Sequence, residues 1–322
     1  MNPANPPPDL DAHALGSVGP GNPGTEPPDR PLHIAKPAWL KTKIPSGETY
    51  FGIKRDLKSR NLFTVCQEAK CPNIAECWNT NTATFMVLGG TCTRACRFCN
   101  IDTGNPGGVI DAHEAANVAE SAALMKLRYV VITMVDRDDL PDGGATHVGN
   151  VVAKVREQSP GIVVELLAGD FTGKKSSLEV IAASRPEVFA HNLETVRSLT
   201  PRVRDRRATY DQSLGVLRQM KDLCDYPVLT KSALMLGLGE LKEDVLQTLA
   251  DLREHQVDFV TLGQYMRPTK QHLSIKRWVH PDEFEEFRIA ALALGFKSVA
   301  SAPLVRSSYK AREFYEAAIH NR

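Results

Sequence analysis

"TATFMVLGGTCTRACRFCN", residues 82–100, sets a short apolar run against a polar loop that holds Cys92, Cys96 and Cys99. The run is β-branched-rich and too short for a helix, so it predicts a buried strand. Six further runs have the same character: "YVVITMV" (129–135), "IVVELLA" (162–168), "VFAHNLE" (188–194), "VLTKSALMLGLG" (228–239), "VDFVTLGQY" (257–265) and "FKSVASAP" (296–303). Helical patterns lie between them. Asp111 with Glu114 three residues on predicts a capping box ahead of a face made by Ala115, Val118, Ala122 and Met125. Leu214 and Leu217 lie a turn apart, and Val245, Leu246, Leu249 and Leu252 line a third helix.

Apolar strands alternating with helices mean a parallel sheet covered on both faces, and in such α/β folds the active site gathers at the carboxyl ends of the strands. The cysteine loop follows the first strand, "DRDDLPDGG" the second, "HNLE" the fourth, "GLGE" the fifth and "GQY" the sixth; the third ends in the plainer "AGDF". Six or seven β/α units in place of eight predict a partial (β/α)6-7 barrel of the TIM-like kind, its open mouth facing these loops.

The 322 residues, 42% hydrophobic and 24% charged, are those of a globular enzyme with a sizeable core. A formal charge of +1 gives no whole-molecule field for nucleic acid or for an anionic membrane. No apolar run approaches the roughly 20 residues needed to cross a bilayer. Residues 1–37 hold ten of the 21 prolines and no aromatic residue, which predicts a disordered tail. That tail has Arg30 and Lys36 against Asp9, Asp11, Glu26 and Asp29, unlike a secretory or mitochondrial leader, so a cytoplasmic location is expected. The remaining boundaries are expected at 38–80 for an N-terminal cysteine segment, 81–303 for the barrel and 304–322 for a C-terminal segment, with these two extensions closing over the barrel mouth.

Upstream, "VCQEAKCPNIAECW" holds Cys66, Cys71 and Cys77, so six of the seven cysteines lie within 34 residues. Without an export signal such clusters are metal ligands or catalytic thiols before they are disulfides. Zinc sites usually complete four protein ligands from paired C-x2-C units, whereas each triplet here is one short. An iron-sulfur cluster tolerates that shortage, because one iron is left for another ligand. A structural zinc knuckle or unrelated core cysteines are the plainer alternatives. Cys224 stands apart and reads as a small core residue.

C-x3-C-x2-C after the first strand of such a barrel resembles the radical S-adenosylmethionine superfamily, with Phe98 before the last cysteine in the usual place. The resemblance implies a 4Fe-4S cluster on Cys92, Cys96 and Cys99 whose open iron takes S-adenosylmethionine. Reductive cleavage then gives a 5'-deoxyadenosyl radical that abstracts hydrogen from unactivated carbon. The C-x4-C-x5-C triplet and "RSSY" (306–309) resemble the lipoyl synthase family, as do "ATFMVLG", "YVVITMVDRDDLPDGGA", "HNLETV", "MLGLGE" and "LGQYMRPT", over about residues 38–315. Ala168 and Gly169 depart from that pattern, as does Met134.

The resemblance implies a second, auxiliary 4Fe-4S cluster on Cys66, Cys71 and Cys77, with Ser308 as fourth ligand and Ser307 as the alternative. Taken without it, a serine before "YKAREFYEAA" is an ordinary helix N-cap. The implied reaction inserts two sulfur atoms, drawn from the auxiliary cluster, at carbons 6 and 8 of an octanoyl-lysine on a lipoyl carrier protein or domain, an E2 subunit or the glycine cleavage H protein. A reduced ferredoxin or flavodoxin-type donor and an iron-sulfur carrier that rebuilds the cluster are implied partners. Gly237 and Gly239 are placed against S-adenosylmethionine, or else make a tight strand-to-helix turn. Asn192 and Glu194 are placed on its ribose or amino group, or else form a loop-start polar pair. His191 reads as a buried histidine. Asp136, Arg137, Asp138 and Asp139 either shape the methionine pocket or cap the next helix. "PRVRDRRA" (201–208) reads as a solvated basic loop, with docking of an acidic carrier face as the other reading. A sulfur-inserting enzyme of the biotin synthase or methylthiotransferase kind is the nearest rival, and an electron carrier or zinc-stabilised binding protein the rival from another class.

Overall fold

The computed structural model describes residues 35–41, 48–60, 62–68, 71, 73–79 and 83–320; the proline-rich stretch 1–34 lies outside them. All seven expected strands form: β1 Thr84–Val87, β2 Tyr129–Met134, β3 Val163–Leu167, β4 Val188–Ala190, β5 Leu229–Leu236, β6 Phe259–Gln264 and β7 Ser298–Ser301. They pair in chain order and all in parallel. A two-residue strand that sequence reading missed, Phe63–Thr64, adds antiparallel to the outer edge of β1. Among the described residues β7 and β1 do not pair, so the barrel is partial.

Two helices, α1 (Glu48–Ser59) and α2 (Ile74–Asn79), precede the barrel. The outer layer is α3 (Glu114–Leu124), α4 (Ala145–Gln158), α5 (Lys175–Ala183), α6 (Tyr210–Leu223), α7 (Lys242–Glu254) and α8 (Pro281–Ala293). Strand periodicity sorts the side chains. Phe85, Val130, Ile132, Val164, Leu166, Phe189, Val260 and Leu262 face outward into the helical layer and are almost fully buried there. Their neighbours Tyr129, Val131, Glu165, Lys231 and Phe259 fall on the inner face.

Of the C-terminal extension expected over the mouth, residues 305–309 line it, whereas the helix that follows closes the barrel at its amino end. Helix α9 (Ala311–His320) packs Ala311, Tyr315 and Ala318 against Tyr129, Val131, Val188, Leu229 and Phe259. Above that floor Lys231 Nζ donates to both oxygens of Glu165 at 2.8 and 3.1 Å, and Tyr129 Oη donates to the same carboxylate at 2.6 Å. Two buried charges are tolerable because each finds the other and hydrogen bonds satisfy the remainder.

The capping box expected at Asp111 and Glu114 does not form. His113 occupies the N-cap position of α3, and its N–H donates to Asp111. The Glu114 carboxylate turns inward, accepting from Leu88 N at 2.7 Å and Gly89 N at 3.1 Å, with His147 Nε2 at 2.7 Å. Leu88 needs that support, since its φ of 70° is costly for a side chain with a Cβ. Arg137 holds it from the other side by donating to Leu88 O. The turn that launches the cysteine loop is therefore fixed by two buried charged groups.

Candidate active site

At the carboxyl ends of the strands lies a cavity of about 360 Å³ that Cys66, Cys71, Cys77, Cys92, Cys96, Cys99, Ser307 and Ser308 all line. None of these cysteines is in a disulfide. Its wall between them is largely apolar, with Met86, Met134, Val135, Leu167, Met235 and Met266.

The loop with Cys92, Cys96 and Cys99 is held by charge. Arg94, buried in its middle, donates to Asp170 at 2.8 and 2.7 Å and to Asp138 at 3.0 and 2.9 Å. Burial pushes the Asp170 carboxyl up, yet these hydrogen bonds outweigh it and hold it down at about 2. The "AGDF" strand end is thus as chemical as the others. A Cβ on Gly169 would stand 2.3 Å from Asp136 Oδ1, so a larger residue here requires that carboxylate to shift. Burial pushes the Asp136 carboxyl up to about 6. Backbone N–H groups of Arg94 and Asp205 point at the sulfurs of Cys92 and Cys96 at 3.4 and 3.3 Å.

The basic run 201–208 is not a solvated loop. Arg204 is 8% exposed, bonds Ser213 Oγ at 2.7 Å and lines the cavity. Asp205 accepts from Ala95 N, and Arg207 donates to Thr93 O and Asp205, so the run brackets the cysteine loop from outside. Nothing in composition distinguishes Arg204 from its neighbours; only the sheet brings it in.

In the other triplet Cys66 lies within a four-residue helix, Val65–Glu68, that follows the Phe63–Thr64 strand at the edge of β1, and Cys77 lies within α2. The segment after β7 closes on them: Asn73 Nδ2 donates to Leu304 O at 2.7 Å, and Tyr309 Oη lies 3.2 Å from Glu76. Val305 presses on β6, where a Cβ on Gly263 would stand 2.1 Å from Val305 O. Beside that seam between Val305 and β6, Ser307 and Ser308 line the same cavity as the cysteines. Among the described residues neither serine hydroxyl makes a hydrogen bond, so the N-cap role is not taken up.

Does this donor set fit a cluster? Trp78 Nε1 is fully buried without a hydrogen-bond acceptor, and it lies beside Cys66, whose thiolate form it favours. Burial pushes the thiols of Cys66, Cys77, Cys92 and Cys96 up to about 12 and that of Cys99 to about 11, so loading an iron centre must displace their protons. Among the described residues no three His, Cys, Asp or Glu side chains close on one ion, as a mononuclear zinc requires. Thiolates of a cubane each take a different iron and need no such convergence.

Asn192 and Glu194 line the same cavity, linked by Asn192 Nδ2 to Glu194 Oε1 at 3.1 Å. Asn192 Oδ1 is buried without a donor, and Glu194 sits at φ 67° with its carboxyl pushed up by burial. Gly237 and Gly239 do not line the cavity. At φ 98° and 111° they make the turn after β5, whose N–H groups Glu240 accepts at 2.7 and 2.9 Å. His191 is buried between Ala168 O and Ser213 Oγ and is kept neutral by that burial. Of the acidic stretch, Asp136 and Asp138 face the cysteine loop, Arg137 and Asp139 pair with each other, and Asp142 caps α4.

A radical SAM superfamily model matches residues 86–252, and a model for the N-terminal domain of lipoyl synthase of the radical SAM family matches 28–71, a stretch that includes Cys66 and Cys71. The chain is 52% identical over 293 residues to the mitochondrial lipoyl synthase of Schizosaccharomyces pombe, covering 89% of this chain and 79% of that one. It is also 52% identical over 288 residues to the lipoyl synthase of Thermus thermophilus, covering 89% of each. The chain belongs to the lipoyl synthase family. Among solved structures it is similar in fold to methylornithine synthase, with a TM-score of 0.51 at 15% identity over 79% of this chain and 70% of that one. The FeFe-hydrogenase maturase HydG of Carboxydothermus hydrogenoformans gives 0.54 at 9% identity, covering 84% and 60%. Membership of the radical SAM superfamily implies one 4Fe-4S cluster and S-adenosylmethionine, and family membership sets aside the biotin synthase, methylthiotransferase and zinc-protein readings. No helix among the described residues is long and apolar enough to cross a membrane.

Proposed function

We propose that this chain inserts sulfur at carbons 6 and 8 of an octanoyl-lysine carried on a lipoyl carrier protein. The observation that supports the reading is that both cysteine triplets and the RSSY serines line one cavity with an apolar wall. When bound, one cluster with S-adenosylmethionine supplies hydrogen abstraction, and the second, as substrate, supplies sulfur. In this reading Cys92, Cys96 and Cys99 hold the first cluster, and Cys66, Cys71, Cys77 and Ser308 hold the second.

The chain's other residues bind and orient. Asn192 Oδ1 and the Glu194 carboxylate take donors of S-adenosylmethionine, its amino group or ribose hydroxyls. Gly237 and Gly239 act at one remove, by shaping the turn after β5. The methionines and Leu167 grip the alkyl chain and exclude water, which keeps a reactive carbon close to its partner. A ferredoxin or flavodoxin-type donor and an iron-sulfur carrier belong to the same reading. So does a cytoplasmic location, which the mitochondrial relatives put at issue and fractionation decides.

Anaerobic reconstitution is expected to give about eight irons per chain, as two cubanes. Replacing Cys92, Cys96 and Cys99 by alanine should abolish S-adenosylmethionine cleavage. Replacing Cys66, Cys71 and Cys77 should spare cleavage while mass spectrometry of an octanoylated carrier peptide shows no sulfur gained. Loss of cleavage in both variants would refute the division of roles.

A further inference from the structure

An acyl chain that arrives on a carrier protein brings a protein surface to the mouth, and the mouth has a platform to meet it. Three loops are knit together at Arg97. Its N–H donates to Val203 O at 3.0 Å, its guanidinium to Arg202 O at 3.3 Å, and its carbonyl accepts from Leu273 N at 3.3 Å. Beneath them Val203, Leu238, Tyr265 and Leu273 form a separate apolar core, packed with Phe98 and Ile275. The loops therefore move as one body, and Phe98, Tyr265, Met266 and Pro268 carry that body to the edge of the cavity.

The platform is basic far beyond the chain's formal charge of +1. Residues 265–280 hold Arg267, Lys270, Lys276 and Arg277 and no Asp or Glu, while 201–207 hold four arginines against Asp205. Part of this charge is used internally: Arg204 on Ser213, Arg207 on Asp205 and Asp138, Arg277 on Glu283 and Glu240. What is left is informative. Arg97, Arg206 and Lys270 are exposed and Arg267 is half-buried, and among the described residues none of the four pairs with a carboxylate.

Four like charges held on loops that are bonded to one another, with no carboxylate among the described residues to neutralise them, make a local positive field. An unneutralised patch beside an entrance steers an anionic partner to it and sets its orientation. We infer that this platform, Arg97, Arg206, Arg267 and Lys270, is the docking surface for the acyl carrier, and that the carrier presents carboxylates around its acylated lysine. The inference rests on the activity proposed above.

The test compares two substrates on the reconstituted enzyme: an octanoylated carrier domain, and a short octanoyl-lysine peptide with no acidic side chains. Arg206→Glu/Lys270→Glu places two reversed charges at exposed positions that touch neither the cysteines nor the cavity. KM for the carrier should rise roughly tenfold, kcat should stay within about twofold, and the wild type's loss of carrier affinity with added salt should flatten. Peptide kinetics should be unchanged. Arg206→Lys/Lys270→Arg should restore the carrier KM. An unchanged carrier KM, or an equal loss on the peptide, would overturn the docking surface. Sulfur insertion into the peptide by wild type and variant alike keeps the activity itself in evidence whichever way the carrier result falls.

Discussion

Gly263→Ala isolates the seam from the rest of the barrel. The added Cβ would lie 2.1 Å from Val305 O and 3.0 Å from Val305 C, against the 3.4 Å at which ordinary contact begins, so the backbone must retreat by about 1.3 Å. Both contacts are main-chain atoms, and no rotamer change relieves them. Overpacking of this kind costs about 1–3 kcal/mol, which in a chain of this size lowers Tm by roughly 2–5 °C. The movement falls on the segment that delivers Ser307 and Ser308, two and three residues downstream of Val305. The variant should therefore reconstitute about four irons in place of about eight, keep S-adenosylmethionine cleavage and lose sulfur insertion. Gly52→Ala is the control: its Cβ meets nothing within 4 Å in α1, and the change should stabilise by about 0.5–1 kcal/mol. Iron and turnover unchanged in Gly263→Ala would refute the reasoning.

Arg94→Leu strands the buried Asp170 and half-buried Asp138, at a cost of about 3–5 kcal/mol and roughly 5–8 °C in Tm, and Asp170→Asn in the same chain should recover part of it; additive effects would sink the pairing. Trp78→Phe removes a donor that has no protein acceptor, so melting of the iron-free chain should change little, while iron loss from the Cys66 triplet should quicken on dilution into chelator; equal chelation rates would remove the Trp78 N–H from that role. His191 is buried neutral, with a pKa lowered to about 4 from 6.5 by burial and by Arg204 and Arg94, against Asp170. The unfolded chain binds the proton first, so stability is full above about pH 6.5 and falls as pH drops through that window, by up to about 3 kcal/mol. His191→Gln should flatten urea-denaturation stability between pH 4 and 6.5 relative to wild type, and an unchanged slope would count against it.

The seven strands were legible because each is a short β-branched run, and their carboxyl-end loops located the site. Phe63–Thr64 was not legible, since two residues carry no periodicity and the strand exists only because β1 has a free edge. Glu114 satisfies a capping pattern in sequence, but the N–H groups of the strand-end turn at the buried Leu88 compete for its carboxylate and win. Arg204 and Asp170 were passed over for the same reason: a charged residue is called solvated by composition, and what buries these two is the return of distant strands to one mouth. Glycines 237 and 239 were visible as glycines, while their role as a turn fixed by Glu240 depends on side-chain direction that spacing does not encode.

The closed floor imposes a direction. Lys231, Glu165 and Tyr129, backed by α9, fill the amino end of the barrel among the described residues, so in the proposed reaction a lysine-tethered acyl chain goes in tail first at the carboxyl-end mouth and comes out the way it came. The depth of a blind tube is a ruler: the terminal methyl travels furthest while the amide waits at the rim, and two carbons apart along the chain become two heights above the floor. A chain shortened or lengthened by one carbon pair presents the wrong carbons at those heights, whatever its chemical reactivity.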